Sequence, residues 1–156
     1  MKVEKITLAE KFEKLKSGDY AMGIVAKMNN YEIKVVRFKG VFVWHSHADT
    51  DETFIILDGT MEMGFRDKTV ELKAGDMIVI PRGVEHRPSS VVGYKALLIE
   101  PEGVPNTGGV QRRLATPEAA GPAPDLRLPQ SNPFLVSLCA GSACAEAACA
   151  FACAFT

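Results

Sequence analysis

The sequence predicts an all-β fold, an antiparallel sandwich or barrel, with a short N-terminal helix and an irregular C-terminal tail. Three observations carry this expectation. From about Ala21 to Pro101, short segments rich in Val, Ile, Phe, Met and Thr alternate with turn signals. No helical period separates them, so parallel crossover units are not expected. The 156 residues, 47% hydrophobic and 24% charged, suit one domain able to bury a core without disulfides.

The elements follow in order. Thr7 and Glu10 form a T-x-x-E capping box, and Leu8, Phe12 and Leu15 then place one apolar stripe on a short helix. Ser17-Gly18-Asp19 ends it, so residues 1–20 read as a helical arm without chemistry of its own. Residues 21–110 read as the β domain, with strands over 31–38, 41–47, 53–57, 60–65, 69–72, 76–81 and 94–101. The expected breaks are Lys39-Gly40, Asp58-Gly59, Arg66-Asp67-Lys68, Ala74-Gly75, Arg82-Gly83 and Val92-Gly93. Asp58-Gly59 is the strongest hairpin signal, because glycine takes positive φ without steric cost. Met61, Met63 and Phe65 share one strand face and are expected to be core, with Val41, Val43 and Ile55 as candidate companions in the lumen.

Beyond Pro101 this grammar is lost. Residues 101–133 hold seven of the nine prolines, and 134–156 are rich in Ala and Cys and nearly uncharged. Residues 111–156 therefore read as a low-complexity tail, disordered or non-native. All four cysteines lie there, at positions 139, 144, 149 and 153, so the β domain does not use thiols. Their C-x4-C-x4-C-x3-C spacing matches no zinc or cluster pattern. The length of 134–156 permits a membrane span, but Glu146, Gly141 and the serines weaken that reading and no basic flank anchors it.

Charge excludes other classes. With 18 basic and 19 acidic residues the net charge is −1, and no basic stripe favours nucleic acid or an anionic membrane. The N-terminus alternates charged and apolar residues and lacks the apolar run of a secretory signal, so the cytoplasm is the expected compartment.

The chain has three histidines, His45, His47 and His86. Residues alternate faces along a strand, so His45 and His47 should point the same way, with Val41 and Val43, and opposite to Phe42, Trp44 and Ser46. Two such imidazoles, Cα atoms roughly 6–7 Å apart, can converge on one ion. Glu52 follows a polar turn that can return it to the histidine pair. His86 follows Pro81-Arg82-Gly83, which can bring it in from a neighbouring strand. Taken singly, a strand histidine is more often a hydrogen-bonded core or surface residue, and Glu52 a solvated loop carboxylate. What points to a metal is that every histidine sits beside a turn that can gather it.

These residues resemble the two motifs of the cupin superfamily, written G-x5-H-x-H-x3–4-E-x6-G and G-x5-P-x-G-x2-H-x3-N. Here His45, His47, Glu52 and Gly59, then Gly75, Pro81, Gly83 and His86, match in spacing. Two positions depart: only four residues separate Gly40 from His45, and the terminal Asn is Ser90. The match spans roughly residues 31–100 and is similar to small single-domain cupins likened to mannose-6-phosphate isomerase, a label that rests on fold kinship.

The resemblance implies a jelly-roll barrel of six to eight strands holding one divalent ion, Fe, Mn, Ni, Co or Zn, through His45, His47, Glu52 and His86. It also implies a homodimer, and a domain that ends near the NTG segment at 106–108, leaving residues after about Val110 extraneous to function. Three readings of function stand side by side. One is a metal-dependent enzyme (isomerase, dioxygenase or lyase) on a small polar molecule such as a sugar, keto acid or aromatic diol. The second is a non-catalytic metal-bearing module that binds a small ligand. The third is a purely structural metal, which closed four-coordinate geometry would favour.

Overall fold

The computed structural model describes residues 3–108 and 125–127. One helix, α1 (Leu8–Glu13), precedes six strands: β1 (Tyr20–Met28), β2 (Tyr31–Val41), β3 (Glu52–Phe65), β4 (Thr69–Lys73), β5 (Met77–Ile80) and β6 (His86–Pro101). They form one antiparallel sheet in the order β1-β2-β6-β3-β4, and β5 pairs with the first residues of β3. The all-β expectation holds, as does the short helix. Thr7 is its N-cap, though its side chain makes no capping bond. Phe12 and Leu15 are buried against Val35, Ala21 and Val25, with Leu8 at the edge. Each buried side chain of that size contributes about 1.5–3 kcal/mol, which ties the arm to the outer face of the sheet.

Three expected turns are not turns. Gly40, Gly59 and Gly93 lie inside β2, β3 and β6, all with positive φ (117°, 76° and 96°). The ladders slip there, between Phe38 and Gly40, Ile56 and Asp58, and Gly59 and Glu62. These positions adjoin one another, since Phe38 and Gly59 both pair with Tyr94. Together they are a line of β-bulges along which three strands bend, so that the sheet folds over one core. Glycine is required here by contact as well as by φ: a Cβ on Gly59 would stand 2.1 Å from the Gly93 carbonyl oxygen. Ser90, at the motif's Asn position, stitches this bend. Its Oγ donates to the Thr60 carbonyl at 2.6 Å and accepts from the Gly93 N–H at 2.8 Å. The expected turns at 66–68, 74–75 and 82–83 are real.

The bend encloses a core of Met22, Val36, Phe38, Phe54, Ile56, Met61, Met63, Leu72, Ile80, Tyr94, Ala96 and Leu98. Met61 and Met63 are fully buried, as expected, with Phe65 packed against them. Val41 is instead 67% exposed, and Ile55 faces outward between the buried Phe54 and Ile56. Strand β1, hidden in the sequence beside the helix, covers β2.

Within the expected tail, Asp125–Arg127 touch the domain. Asp125 bridges Ile24, the Leu126 N–H donates to the Ile24 carbonyl at 2.7 Å, and the buried Lys11 Nζ donates to the Leu126 carbonyl at 2.7 Å. Leu126 packs with the helix cluster and fills the space a side chain on Gly23 would need. The cysteines and 134–156 lie outside the described residues. Among those described, no helix is long and apolar enough to cross a membrane.

Candidate metal centre

The expected 41–47 strand is not a strand. β2 ends at Val41, and beyond it only His45 makes a ladder contact, an isolated antiparallel bridge to His86. The alternation therefore slips. Phe42 packs on the core and its ring lies 5.3 Å from that of His45, whereas the expected inward neighbour Val41 faces out. From His45 onward parity returns, with His45 and His47 buried and Ser46 between them less so. The backbone N–H of each bridge partner donates to the other's carbonyl, at 3.0 and 2.9 Å, setting the two imidazoles 4.2 Å apart.

The second ligand loop is tied to the first. The Gly83 N–H donates to the His47 carbonyl at 2.7 Å, and Arg82 donates to Asp51 Oδ1 from its backbone N–H at 2.9 Å and its Nε at 3.2 Å. Glu52 opens β3 opposite Ile80. One atom from each of His45, His47, Glu52 and His86 lies within 4.8 Å of the others, and all four residues are buried. Every residue expected at the site is thus brought together.

The ring orientations are fixed. His45 Nδ1 and His86 Nδ1 each donate to the carbonyl two residues back, Val43 and Val84, at 3.0 Å. That tautomer leaves both Nε2 atoms as lone-pair acceptors facing the cluster. Glu52 Oε2 stands 3.7 Å from His47 Nε2 and 3.0 Å from His86 Nε2. The latter contact is close but misaligned: these three atoms are buried without a hydrogen-bond partner. Three orphaned acceptors aimed at one point in a dry interior are costly unless a cation satisfies them, so the donor set fits a divalent ion.

Electrostatics agree. Burial first, and the charge of His86 second, hold His45 down at about 4, and burial lowers His47 despite Glu52. Burial also opposes protonation of His86, but contact with Glu52 outweighs it and raises His86 above its ordinary value. Neutral imidazoles are the metal-binding form.

Several residues escaped the sequence reading. A narrow cleft beside the cluster is lined by His45 and Glu52 and walled by Phe38, Phe42, Phe54 and Leu98, with Tyr20, Tyr94 and Asn106 as its uncharged polar members. Burial, then Glu100 and Glu52, raise the Tyr20 phenol well above its usual range, while the Asn106 side chain pulls the other way. Lys34 and Glu100 form a buried ion pair at 2.9 Å, one residue beyond the Thr53–Ile99 pair, with Glu32 at 3.2 Å from the same ammonium. Burial first, then Glu52, push Glu100 to about 7, against the pull of Lys34. Tyr94 is in the core, whereas Tyr31 is 39% exposed. Four arginines are engaged away from the cluster: Arg66 and Arg87 lie over Trp44 at 4.1 and 4.9 Å, and Arg66 also pairs with Glu85 at 2.6 Å. Arg82 holds Asp51, and Arg37 donates to the Lys16 carbonyl.

Known proteins share this plan. The Cupin_2 (Cupin domain) family matches residues 35–98. The uncharacterized protein YdbB of Bacillus subtilis (strain 168) is 39% identical over 77 residues, 49% of this chain and 68% of that protein. The crystal structure of a cupin-2 domain containing protein from Shewanella frigidimarina NCIMB 400 is 44% identical, with a TM-score of 0.60 over 62% of this chain and 94% of its own. That of NMB1881 from Neisseria meningitidis is 28% identical, with a TM-score of 0.57 over 64% of this chain and 100% of its own. By sequence, fold and the arrangement of its two motifs, the chain belongs to the cupin superfamily.

Proposed function

We propose that His45, His47, Glu52 and His86 ligate one divalent ion (Fe, Mn, Ni, Co or Zn), and that the chain is a metal-dependent enzyme acting on a small molecule. The observation that supports this most is the set of three buried, unpartnered acceptor atoms, His47 Nε2, Glu52 Oε2 and His86 Nε2. An ion held there supplies a Lewis acid or a redox centre. The chain's own residues do the rest. The Val43 and Val84 carbonyls hold two imidazoles in the ligating tautomer, and the aromatic walls keep bulk water away. The cleft is narrow, a cavity of about 30 Å³ with room for roughly two or three waters. It thus favours a small acid over a sugar among the classes considered, and isomerase, lyase and dioxygenase chemistry are all compatible with it.

The second reading, a metal-bearing module that binds without turnover, draws on that same narrowness, which suits a small ligand held without a second reactant. Screening distinguishes them. Tag-free protein carrying its native metal is mixed with sugars, keto acids and aromatic diols and followed by NMR. Conversion that disappears in Glu52→Gln supports the enzyme; saturable binding without conversion supports the module. A homodimer fits the outer face of β3 and β5, where Met77 and Val79 are 61% and 52% exposed.

A further inference from the structure

A strap crosses the cleft. After β6 the chain is tied at Glu102, whose N–H donates to the Asn30 carbonyl at 2.8 Å and whose carboxylate accepts from Lys27 at 2.7 Å. It then returns over the ligand loop. Thr107 is 9% exposed, and Gly108, at φ 57°, lies so close that a Cβ there would meet the Ser46 carbonyl oxygen at 1.9 Å. Ser46 is the residue between His45 and His47. Asn106, on the strap, lines the cleft together with Tyr20 from β1, so two uncharged donors from opposite ends of the domain converge beside His45 and Glu52. The Tyr20 oxygen accepts from the Asn106 side chain, and its own O–H has the Met22 sulfur at 3.9 Å, a weak acceptor. Its ring is braced by Phe38 and Phe42, each with centroids 6.0 Å away.

We propose that Tyr20 and Asn106 are the anion-recognition residues of this site and that their ligand is a small monocarboxylate. The inference rests on the metal reading above. A divalent ion with three neutral imidazoles and one carboxylate carries one net positive charge, which matches a monoanion. Tyr20 O–H and the Asn106 amide N–H then donate to its oxygens within apolar walls, where an unpaired carboxylate oxygen is costly. The narrow space admits a head of acetate size.

Co(II)-loaded full-length protein, titrated with acetate and followed through its visible absorption, tests this. Tyr20→Phe and Asn106→Ala should each weaken acetate about ten-fold, the size of one hydrogen bond to a charged acceptor, with Co(II) content and melting temperature retained. Tyr31→Phe, outside the cleft, should leave acetate affinity unchanged. Asn106→Asp should weaken it more than Asn106→Ala, because it adds repulsion; a space-filling role would make Asp the milder change. Unchanged acetate affinity in Tyr20→Phe and Asn106→Ala, or a milder effect of Asp than Ala, overturns the assignment. Failure of the wild-type chain to take up Co(II) overturns the metal reading itself, a separate readout.

Discussion

His45 and His86 exchange both backbone hydrogen bonds, at 3.0 and 2.9 Å, across an isolated bridge whose imidazoles lie 4.2 Å apart. This one pair joins the two motif loops. It anchors His45, which lies outside any strand, to His86 at the start of β6, so the proposed metal site depends on a contact of the main chain as much as on side-chain chemistry.

Metal affinity should fall with acid through His86 first. Its value is raised above the ordinary 6.5, whereas His45 is held at about 4 and His47 is also lowered. Among the three imidazoles the metal-free site therefore holds a proton most readily at His86, and binding must displace it. Calorimetry in buffers of different ionisation enthalpy should show proton release on metal uptake near pH 6.5, fading as pH rises well above it. Release that does not change between pH 6 and 9 would contradict this.

The metal-free protein should also lose stability in mild acid. Below pH 6.5 the unfolded chain protonates at His45, while the folded chain resists until about 4. A depressed histidine thus contributes stability above 6.5 that is withdrawn as pH falls, up to about 3 kcal/mol over the window. His47 acts in the same direction. His86, protonated in both states below 6.5, adds nothing to the slope there. Urea unfolding of chelator-treated protein at pH 7 and 5 should show the loss, and His45→Asn should reduce it.

Much of this was legible in the sequence. Spacing around His45, His47, Glu52 and His86 marked the cluster, and β-rich composition with turn signals marked the sheet. The glycine bends were misread because Gly40, Gly59 and Gly93 carry the same φ > 0 signal whether a strand reverses or bulges; only neighbouring strands decide which. Lys34 and Glu100 were invisible for a related reason. Alternation assigns charged residues to solvent, but β2 is covered by α1 on one face and by the barrel interior on the other. Tyr20 and Asn106 meet across 86 positions of sequence, a separation no local pattern encodes.

The bend predicts unequal glycines. Gly59→Ala meets the Gly93 carbonyl at 2.1 Å and must also hold φ 76°, so it should cost about 2–4 kcal/mol. Gly75→Ala, at φ 96° with nothing within 4 Å, should cost only about 1 kcal/mol. Denaturant midpoints compare them directly; equal losses would mean the bulge line is not a tight contact.

The buried ion pair predicts non-additivity. Lys34→Met leaves Glu100 buried at 0% exposure beside Glu32 and should destabilise by about 3–5 kcal/mol. Adding Glu100→Leu removes the stranded charge and should recover much of that loss. A double variant no more stable than Lys34→Met would argue that the pair is not coupled.

If His45, His47, Glu52 and His86 hold one divalent ion, elemental analysis of tag-free protein will find it. The wild type should carry about one equivalent per chain, and His86→Ala, folded by circular dichroism, should lose most of it. Equal metal content in the two proteins, or none in the wild type after incubation with each candidate ion, would mean that these four residues are not the ligands.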